Sequence, residues 1–309
     1  MSAIRPSRAA AVLLLVVVLL SLSVAGCVSS PGPAATAHPA PGPTAAPAPA
    51  AGSLEAHFID VGQGDAILVK CGNRTMLVDG GPTVAGPRVS SYLRGHGVTA
   101  IDVLVSTHPH EDHIGGLLTV LNDFPVGVVY DSGQPHTTQT YERYLTLIDQ
   151  KNIRFKVPER GDKIDLGPGV SILVLSPPPG GLDGGDLNDN SIVLRIVCGD
   201  TAFLLAGDAG FRAESRMLAS GYDLKSDVLK VGHHGSRYSS GAAFLDAVDP
   251  GISVIEVGSG NPYGHPSPAT LARLEAIGSR VYRTDRDGDV LVVSDGKGLT
   301  VTTERAAPA

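Results

Sequence analysis

The densest chemistry in the chain lies at the end of an apolar strand pattern. Residues 101–106 read Ile-Asp-Val-Leu-Val-Ser and run directly into Thr107-His-Pro-His-Glu-Asp-His-Ile-Gly-Gly116. His108, His110, Asp112 and His113 therefore fall within six residues. Crowding such groups at the mouth of a buried strand is costly unless something binds them. Neutral imidazoles and carboxylates are the ligands that borderline divalent metals prefer. His108 and His110, two residues apart, can converge on one ion. Asp112 and His113 point elsewhere and can serve a second. Gly115 and Gly116 are expected to let the backbone turn into a following helix. Any fold for this chain must bring further ligands to the same place.

Other strand ends supply the candidates. Phe203-Leu-Leu-Ala-Gly-Asp208 ends an apolar run in a lone acid. Asp208 suits a carboxylate bridging two ions, and it also suits an N-cap for a helix over 210–220. Asp227-Val-Leu-Lys-Val-Gly-His-His-Gly-Ser236 ends in a histidine pair. Either His233 or His234 can complete the second ion's shell, and the other would bond a neighbour or substrate. Asn261-Pro-Tyr-Gly-His-Pro266 holds His265 in a stiff loop, as a ligand, a proton donor or an ordinary loop histidine. His57, His96 and His136 stand alone and read as surface or strand histidines. His136 lies in a Gly/Pro/Thr loop that could reach a site. No nucleophile elbow, P-loop or dinucleotide fingerprint occurs in a strand–helix context.

A weak internal repeat shapes the fold. Residues 66–79 and 191–208 both read as strand, Cys-Gly turn, strand, then Gly and Asp. Further strands are expected over 101–106, 126–130, 171–175, 227–231 and 252–256. Helices are expected over 88–96, 115–123, 138–151, 211–220, 241–248 and 267–277. Hairpins within each half and helices outside give a layered α/β/β/α domain rather than one doubly wound sheet. Cys71 and Cys198 sit at the two Cys-Gly turns, where they read as half-buried thiols or as a pair.

The first 53 residues read as an address and a tether. Arg5 and Arg8 precede an apolar run over 9–20, and Val24-Ala25-Gly26-Cys27 resembles a lipobox. Residues 1–27 thus read as a secretory signal with Cys27 as the lipidation site, against an uncleaved anchor or plain signal. Residues 28–53 are mostly Ala, Pro and Gly, an extended linker able to reach about 80 Å. The domain over 54–309 is expected to be exported, at the cell membrane or cell surface.

Charge narrows the partners. Two of the 24 basic residues and none of the 31 acidic ones lie in the first 53, so residues 54–309 carry a formal −9. Proteins that clamp nucleic acid by charge lean the other way. Trp is absent, and no aromatic and basic stripe for single strands is present. A local basic patch of Lys225, Lys230, Arg237 and Arg283 is the remaining route to DNA. Nothing in the pattern assigns an oligomeric state.

The His108-x-His110-x-Asp112-His113 motif resembles the metallo-β-lactamase superfamily, and the resemblance covers nearly all of 54–309. More closely, the chain resembles the C-terminal hydrolase domain of ComEC-type DNA-internalisation (competence) proteins. The matching stretches are Phe58-Ile-Asp-Val-Gly-Gln-Gly-Asp-Ala-Ile67, Met76-Leu-Val-Asp-Gly-Gly81, the histidine loop, Leu204–Asp208, Val228–Ser236, and Tyr263-Gly-His-Pro266 with Arg283-Thr-Asp285.

The resemblance implies a four-layer αββα sandwich with two divalent ions, Zn²⁺ or Mn²⁺. His108 and His110 would hold one ion, Asp112 and His113 the other, and Asp208 would bridge them. His234, rather than His233, would finish the second site, and Asp79 would organise the histidine loop. The superfamily usually places a further histidine before the bridging acid. This chain has Asn188-Asp-Asn-Ser191 there, with Asn190 a weak substitute. ComEC-type members share that gap, and a site rich in carboxylate accepts Mn²⁺ as well as Zn²⁺. The implied reaction is hydrolysis of a phosphodiester, with DNA as one substrate, by a hydroxide bridging the ions. Asp112 would orient the nucleophile, and His265 or His233 would protonate the leaving group. Full ComEC-type proteins carry a transmembrane channel, so this chain is not expected to import DNA by itself. The alternatives are hydrolysis of another exported ester, such as a cell-envelope phosphodiester or a lactam, and a lipoprotein that binds nucleic acid or a partner without turnover.

Overall fold

The computed structural model describes residues 53–305 apart from 183 and 185. The signal segment, Cys27 and nearly all of the linker lie outside the described residues. Two sheets carry the fold. The first contains β1 (Leu54–Phe58), β2 (Ile67–Cys71), β3 (Arg74–Val78), β4 (Ile101–Ser106), β5 (Val126–Asp131) and β6 (Arg154–Lys156). The second contains β7 (Lys163–Ile164), β8 (Ser171–Ser176), β9 (Val193–Cys198), β10 (Thr201–Leu205), β11 (Val228–Lys230), β12 (Ile252–Ile255) and β13 (Arg280–Arg283). The chain then returns to the first sheet with β14 (Val290–Ser294) and β15 (Leu299–Thr303), beside β1. The helices are α1 (Gly86–Gly95), α2 (Glu111–Ile114), α3 (Leu117–Asp123), α4 (Gln139–Gln150), α5 (Phe211–Leu218), α6 (Ala242–Val248), α7 (Pro268–Ala276) and α8 (Thr284–Asp287).

The two halves repeat one plan. β2 and β3 form an antiparallel hairpin, and β4 and β5 follow parallel to β3. β9 and β10 form the second hairpin, and β11 and β12 follow parallel to β10. Side chains alternate across each strand. Phe58, Val69, Met76 and Val105 meet Ile196, Phe203, Leu205 and Val254 in a core between the sheets. Leu68, Leu77 and Leu104 point outward and pack on Leu93, Leu117 and Tyr144 of α1, α3 and α4. Leu204, Leu229 and Ile255 do the same against Met217, Phe244 and Leu274 of α5, α6 and α7. Three apolar layers thus lie between four layers of structure, the αββα arrangement expected from sequence. Each fully buried leucine contributes roughly 1.5–3 kcal/mol to it.

Strands β1 and β14 and the edge strands β6, β7, β13 and β15 go beyond the sequence-based reading. They are short, or carry polar residues at alternate positions, as in Leu-Thr-Val-Thr-Thr of β15. Cys71 and Cys198 both face the core between the sheets, buried and without a disulfide between them. His57 is a buried strand histidine held by the Tyr92 hydroxyl at 3.0 Å and by Glu55 at 3.1 Å. Among the described residues, no helix is long and apolar enough to cross a membrane.

Candidate metal centre

Parallel strands bring their carboxyl ends together, and the loops leaving β3, β4, β10, β11 and β12 meet in one place. Asp79 follows β3, the histidine loop follows β4, Asp208 follows β10, His233 and His234 follow β11, and Glu256 follows β12.

Asp208 lies at the centre. Its Oδ2 is 3.4 Å from His113 Nε2, 3.6 Å from His234 Nε2, and 3.8 Å from both His108 Nε2 and His233 Nε2. Asp112 Oδ2 lies 3.4 Å from His234 Nε2. His110 joins through His108, whose Nε2 is 3.0 Å from His110 Nδ1. The other ring nitrogens are anchored. His108 Nδ1 is 3.1 Å from the Thr107 hydroxyl, His113 Nδ1 is 2.8 Å from Asp79 Oδ2, and His234 Nδ1 is 3.0 Å from the Glu256 carbonyl. Anchoring one nitrogen aims the other inward and sets the tautomer.

Backbone geometry separates the histidine pair. His233 and His234 both adopt left-handed dihedrals, with φ of 49° and 52°. Each costs on the order of 1–3 kcal/mol for a residue with a side chain. The turn buries His234 in the cluster and leaves His233 at the rim, its Nε2 3.4 Å from Asn188 Nδ2. Gly115 and Gly116 have ordinary helical dihedrals, contrary to the turning role expected of them. Their need is space, since a Cβ on Gly116 would lie 1.9 Å from the Gly80 carbonyl oxygen.

Below the cluster is a charge network that the sequence reading left out. Lys230 is fully buried; it forms an ion pair with Asp65, donates to the Gly207 carbonyl at 3.0 Å, and lies 3.9 Å from Asp208 Oδ1. Asp65 Oδ1 faces His234 Nδ1 at 3.2 Å. Glu256 accepts from the Ala66 N–H at 3.0 Å. Asp65 and Lys230 lie within stretches that carried the family resemblance, but neither has the strand-end histidine or acid pattern that marked the other groups.

Titration follows from this crowding. Burial lowers the affinity of His113 for a proton, but Asp208, Asp79, Asp65 and Asp112 outweigh it and raise its pKa well above the imidazole range. His234 is likewise opposed by burial yet raised by Asp208 and Asp65 to about 10. Burial and then His113 push His108 well below the ordinary range. Asp208, despite burial, is held well below the carboxylate range by His234 and His113. Glu256 goes the other way, because burial and the neighbouring Asp65 charge keep its proton on. Excess carboxylate charge therefore holds protons on His113 and His234, which an entering divalent ion would displace.

The donors fit such an ion. His113 Nε2, His234 Nε2 and Asp208 Oδ1 are buried without a hydrogen-bond partner. Ligand atoms of His108, His113 and Asp208, of Asp112, His113 and His234, and of Asp65, Asp208 and His234 each lie within 4.8 Å of one another. Burying unpartnered polar atoms is unfavourable unless a ligand satisfies them.

The structure thus brings His108, His110, Asp112, His113, Asp208 and His234 together, with Asp79 behind His113. It does not bring Asn190 to them. The Asn190 amide is taken up by the Leu182 backbone, accepting at 2.7 Å and donating at 3.4 Å. A 3₁₀ turn over 188–190 presents Asn188 to the cavity instead. Asp208 is not a helix cap either, since Gly210 occupies that place before α5. Of the four basic residues named for a local patch, Lys230 is buried, Lys225 pairs with Asp249, Arg283 pairs with Asp285, and Arg237 is exposed. His265 lines the cavity beside His233, their ring centres 5.6 Å apart. Burial and the two neighbouring histidines lower its pKa to about 4, so it is a neutral imidazole at pH 7 rather than a charged acid. His136 reaches the cavity as well, 5.8 Å from His110.

Comparison with known proteins agrees with this geometry. The chain is 30 % identical over 255 residues to ComE operon protein 3 of Bacillus subtilis, covering 76 % of this chain and 32 % of that protein. It is 35 % identical over 237 residues to competence protein ComA of Neisseria gonorrhoeae, covering 74 % and 30 % respectively. The chain therefore spans about a third of the length of these curated relatives. Among solved structures, Igni18, a metallo hydrolase from Ignicoccus hospitalis, superposes with a TM-score of 0.52 at 20 % identity, covering 77 % of this chain and 98 % of that one. This likeness concerns the fold. Residues 59–258 match the model of the metallo-beta-lactamase superfamily. On that match, with two sheets flanked by helices and a His/Asp cluster at the strand ends, the chain belongs to the metallo-beta-lactamase superfamily.

Proposed function

We propose that the protein is a hydrolase using two divalent ions, Zn²⁺ or Mn²⁺, whose substrate is a phosphodiester, with DNA among the candidates. One observation carries the binuclear reading. A single Asp208 oxygen lies within 3.8 Å of four imidazole nitrogens, the arrangement of a carboxylate shared between two ions. His108 and His110 would hold one ion, Asp112, His113 and His234 the other, and Asp208 both. Bound, such ions activate water and neutralise charge on a phosphoryl oxygen. The protein's own groups set the geometry. Asp79 and Thr107 fix the histidine loop. Asp112, kept ionised by His113 and His234 despite burial, would accept a hydrogen bond from the attacking water. His233, at the rim, would donate to the leaving oxygen, while neutral His265 would supply a hydrogen bond. The similarity to competence proteins supports a nucleic-acid phosphodiester over a lactam.

The test is metal analysis of the purified protein, with assays on bis-p-nitrophenyl phosphate and on single- and double-stranded DNA. Cleavage that needs metal and disappears in His110→Ala and Asp208→Asn is expected. Two bound ions without cleavage of either substrate would overturn the phosphodiesterase reading and favour another ester or a binding role. We also propose export and lipid attachment at Cys27, from the basic, apolar and Val-Ala-Gly-Cys pattern. Radiolabelled palmitate should enter the wild type and not Cys27→Ala.

A further inference from the structure

Resting on the hydrolase reading above, we propose that Tyr263 is a stacking platform that selects a phosphodiester flanked by an unpaired nucleobase. Tyr263 lines the cavity, yet its side chain is largely open, at 66 % exposure. Its ring stacks on His265, with centres 5.7 Å apart and planes 28° apart. An aromatic ring left open beside a polar site is unfavourable in water and suits a flat partner.

The loop backbone that carries the ring is also held in place. The Asn261 side chain accepts from the Tyr263 N–H at 3.1 Å and the His265 N–H at 3.0 Å. It donates to the Gly258 carbonyl at 3.0 Å and the His265 carbonyl at 2.6 Å. One amide therefore closes the loop on four backbone groups. Little ordering remains to be done when a ligand stacks.

Charge argues the same way. Among the described residues, no lysine or arginine lines the cavity, whereas Glu111, Asp112 and Asp208 do. A phosphodiester backbone finds no lysine or arginine there to track. Binding energy away from the reacting phosphate has to come from an uncharged surface, and a base offers its π-face to an aromatic ring. In a duplex those faces are covered by neighbouring bases. The cavity, about 360 Å³, is at the lower end of small-ligand sites and fits a nucleotide or two.

The test uses the full chain in detergent, loaded with Mn²⁺. Two activated esters are compared, thymidine 5′-p-nitrophenyl phosphate and methyl p-nitrophenyl phosphate, which share a leaving group and differ in carrying a nucleoside or a methyl group. The wild type should prefer the thymidine ester. Tyr263→Ala should lose roughly 5- to 100-fold on it, mainly in KM, and Tyr263→Phe should retain most of the preference. A Tyr263→Ala protein with the wild-type ratio between the two esters would overturn the proposal. Fluorescence anisotropy with a labelled single-stranded oligonucleotide, intact or with abasic positions, separates stacking from turnover. If the wild type cleaves neither ester, the hydrolase reading fails. Loss of oligonucleotide affinity in Tyr263→Ala, confined to the base-bearing strand, would then still support stacking, and equal affinity would overturn it.

Discussion

Asp79 and Asp208 occupy matching places in the two halves and have opposite surroundings. Each follows the second strand of a Cys-Gly hairpin and each is buried, at 0 % and 2 % exposure. Asp79 is saturated. It accepts from the Thr107 N–H at 2.8 Å and the Thr107 hydroxyl at 2.6 Å, and meets His113 Nδ1 at 2.8 Å. Asp208 keeps one oxygen without a hydrogen bond and points the other at imidazole nitrogens. Burial raises the Asp79 pKa despite His113, whereas the histidines pull Asp208 well below the carboxylate range. The difference teaches that hydrogen-bond saturation, more than residue type or burial, separates a carboxylate that orients a ligand from one free to become a ligand.

Removing the open carboxylate should have the largest effect. Asp208→Asn is expected to lose bound metal and to lower hydrolysis on the order of ten-thousandfold, read by metal analysis and kcat. Retained metal and activity would erase the distinction between the two aspartates. Next comes the buried cation that the second half supplies. Lys230→Met removes the nearest cation of buried Asp65, leaving His234 at 3.2 Å, and should cost about 3–5 kcal/mol in urea unfolding. A variant as stable as the wild type would show that the Asp65 charge does not depend on Lys230.

A third carboxylate sharpens the comparison because its hydrogen bonds come from backbone N–H groups, with the Arg273 charge nearby. Glu214 accepts from the backbone N–H groups of Ser240 and Gly241, the latter at 2.9 Å. Burial outweighs these bonds and raises its pKa from 4.5 to about 7. The fold thus prefers the protonated form. Its contribution to stability is complete below the unfolded value of 4.5 and is lost as pH rises through about 7. The swing is roughly 3 kcal/mol. Unfolding at pH 5 and pH 8 should show Glu214→Gln with a much flatter profile than the wild type. A profile identical to wild type would place the titration elsewhere.

The smallest expected change is at the saturated aspartate. Asp79→Asn still accepts a hydrogen bond but no longer holds a negative charge against His113. Metal affinity should fall about 10- to 100-fold, measured by competition with a chelator. A loss as large as that of Asp208→Asn would make Asp79 a direct ligand.

Much of this was legible in the amino-acid order. The histidine loop, the lone acid after 203–207 and the histidine pair are local patterns, and each is short enough to read without knowing its neighbours. The two hairpins announce themselves because a Cys-Gly turn between apolar runs has few other outcomes. The edge strands were hidden, since β6 and β15 owe their pairing to the sheet beside them rather than to their own composition. Asp65, Lys230 and Glu256 were hidden for a related reason. An isolated acid or lysine looks the same in sequence whether it faces solvent or a buried partner 165 residues away, as Asp65 and Lys230 do.

The order of residues by itself determined the layers and the ligand types, because side-chain alternation and ligand chemistry are properties of a few consecutive residues. Only the tertiary structure decided which residue of each pair points inward. His234 rather than His233 enters the cluster through two left-handed residues, and Asn188 rather than Asn190 reaches the cavity from one 3₁₀ turn. These choices depend on dihedrals and on partners from the other sheet, and a one-residue step in a tight turn redirects a side chain completely.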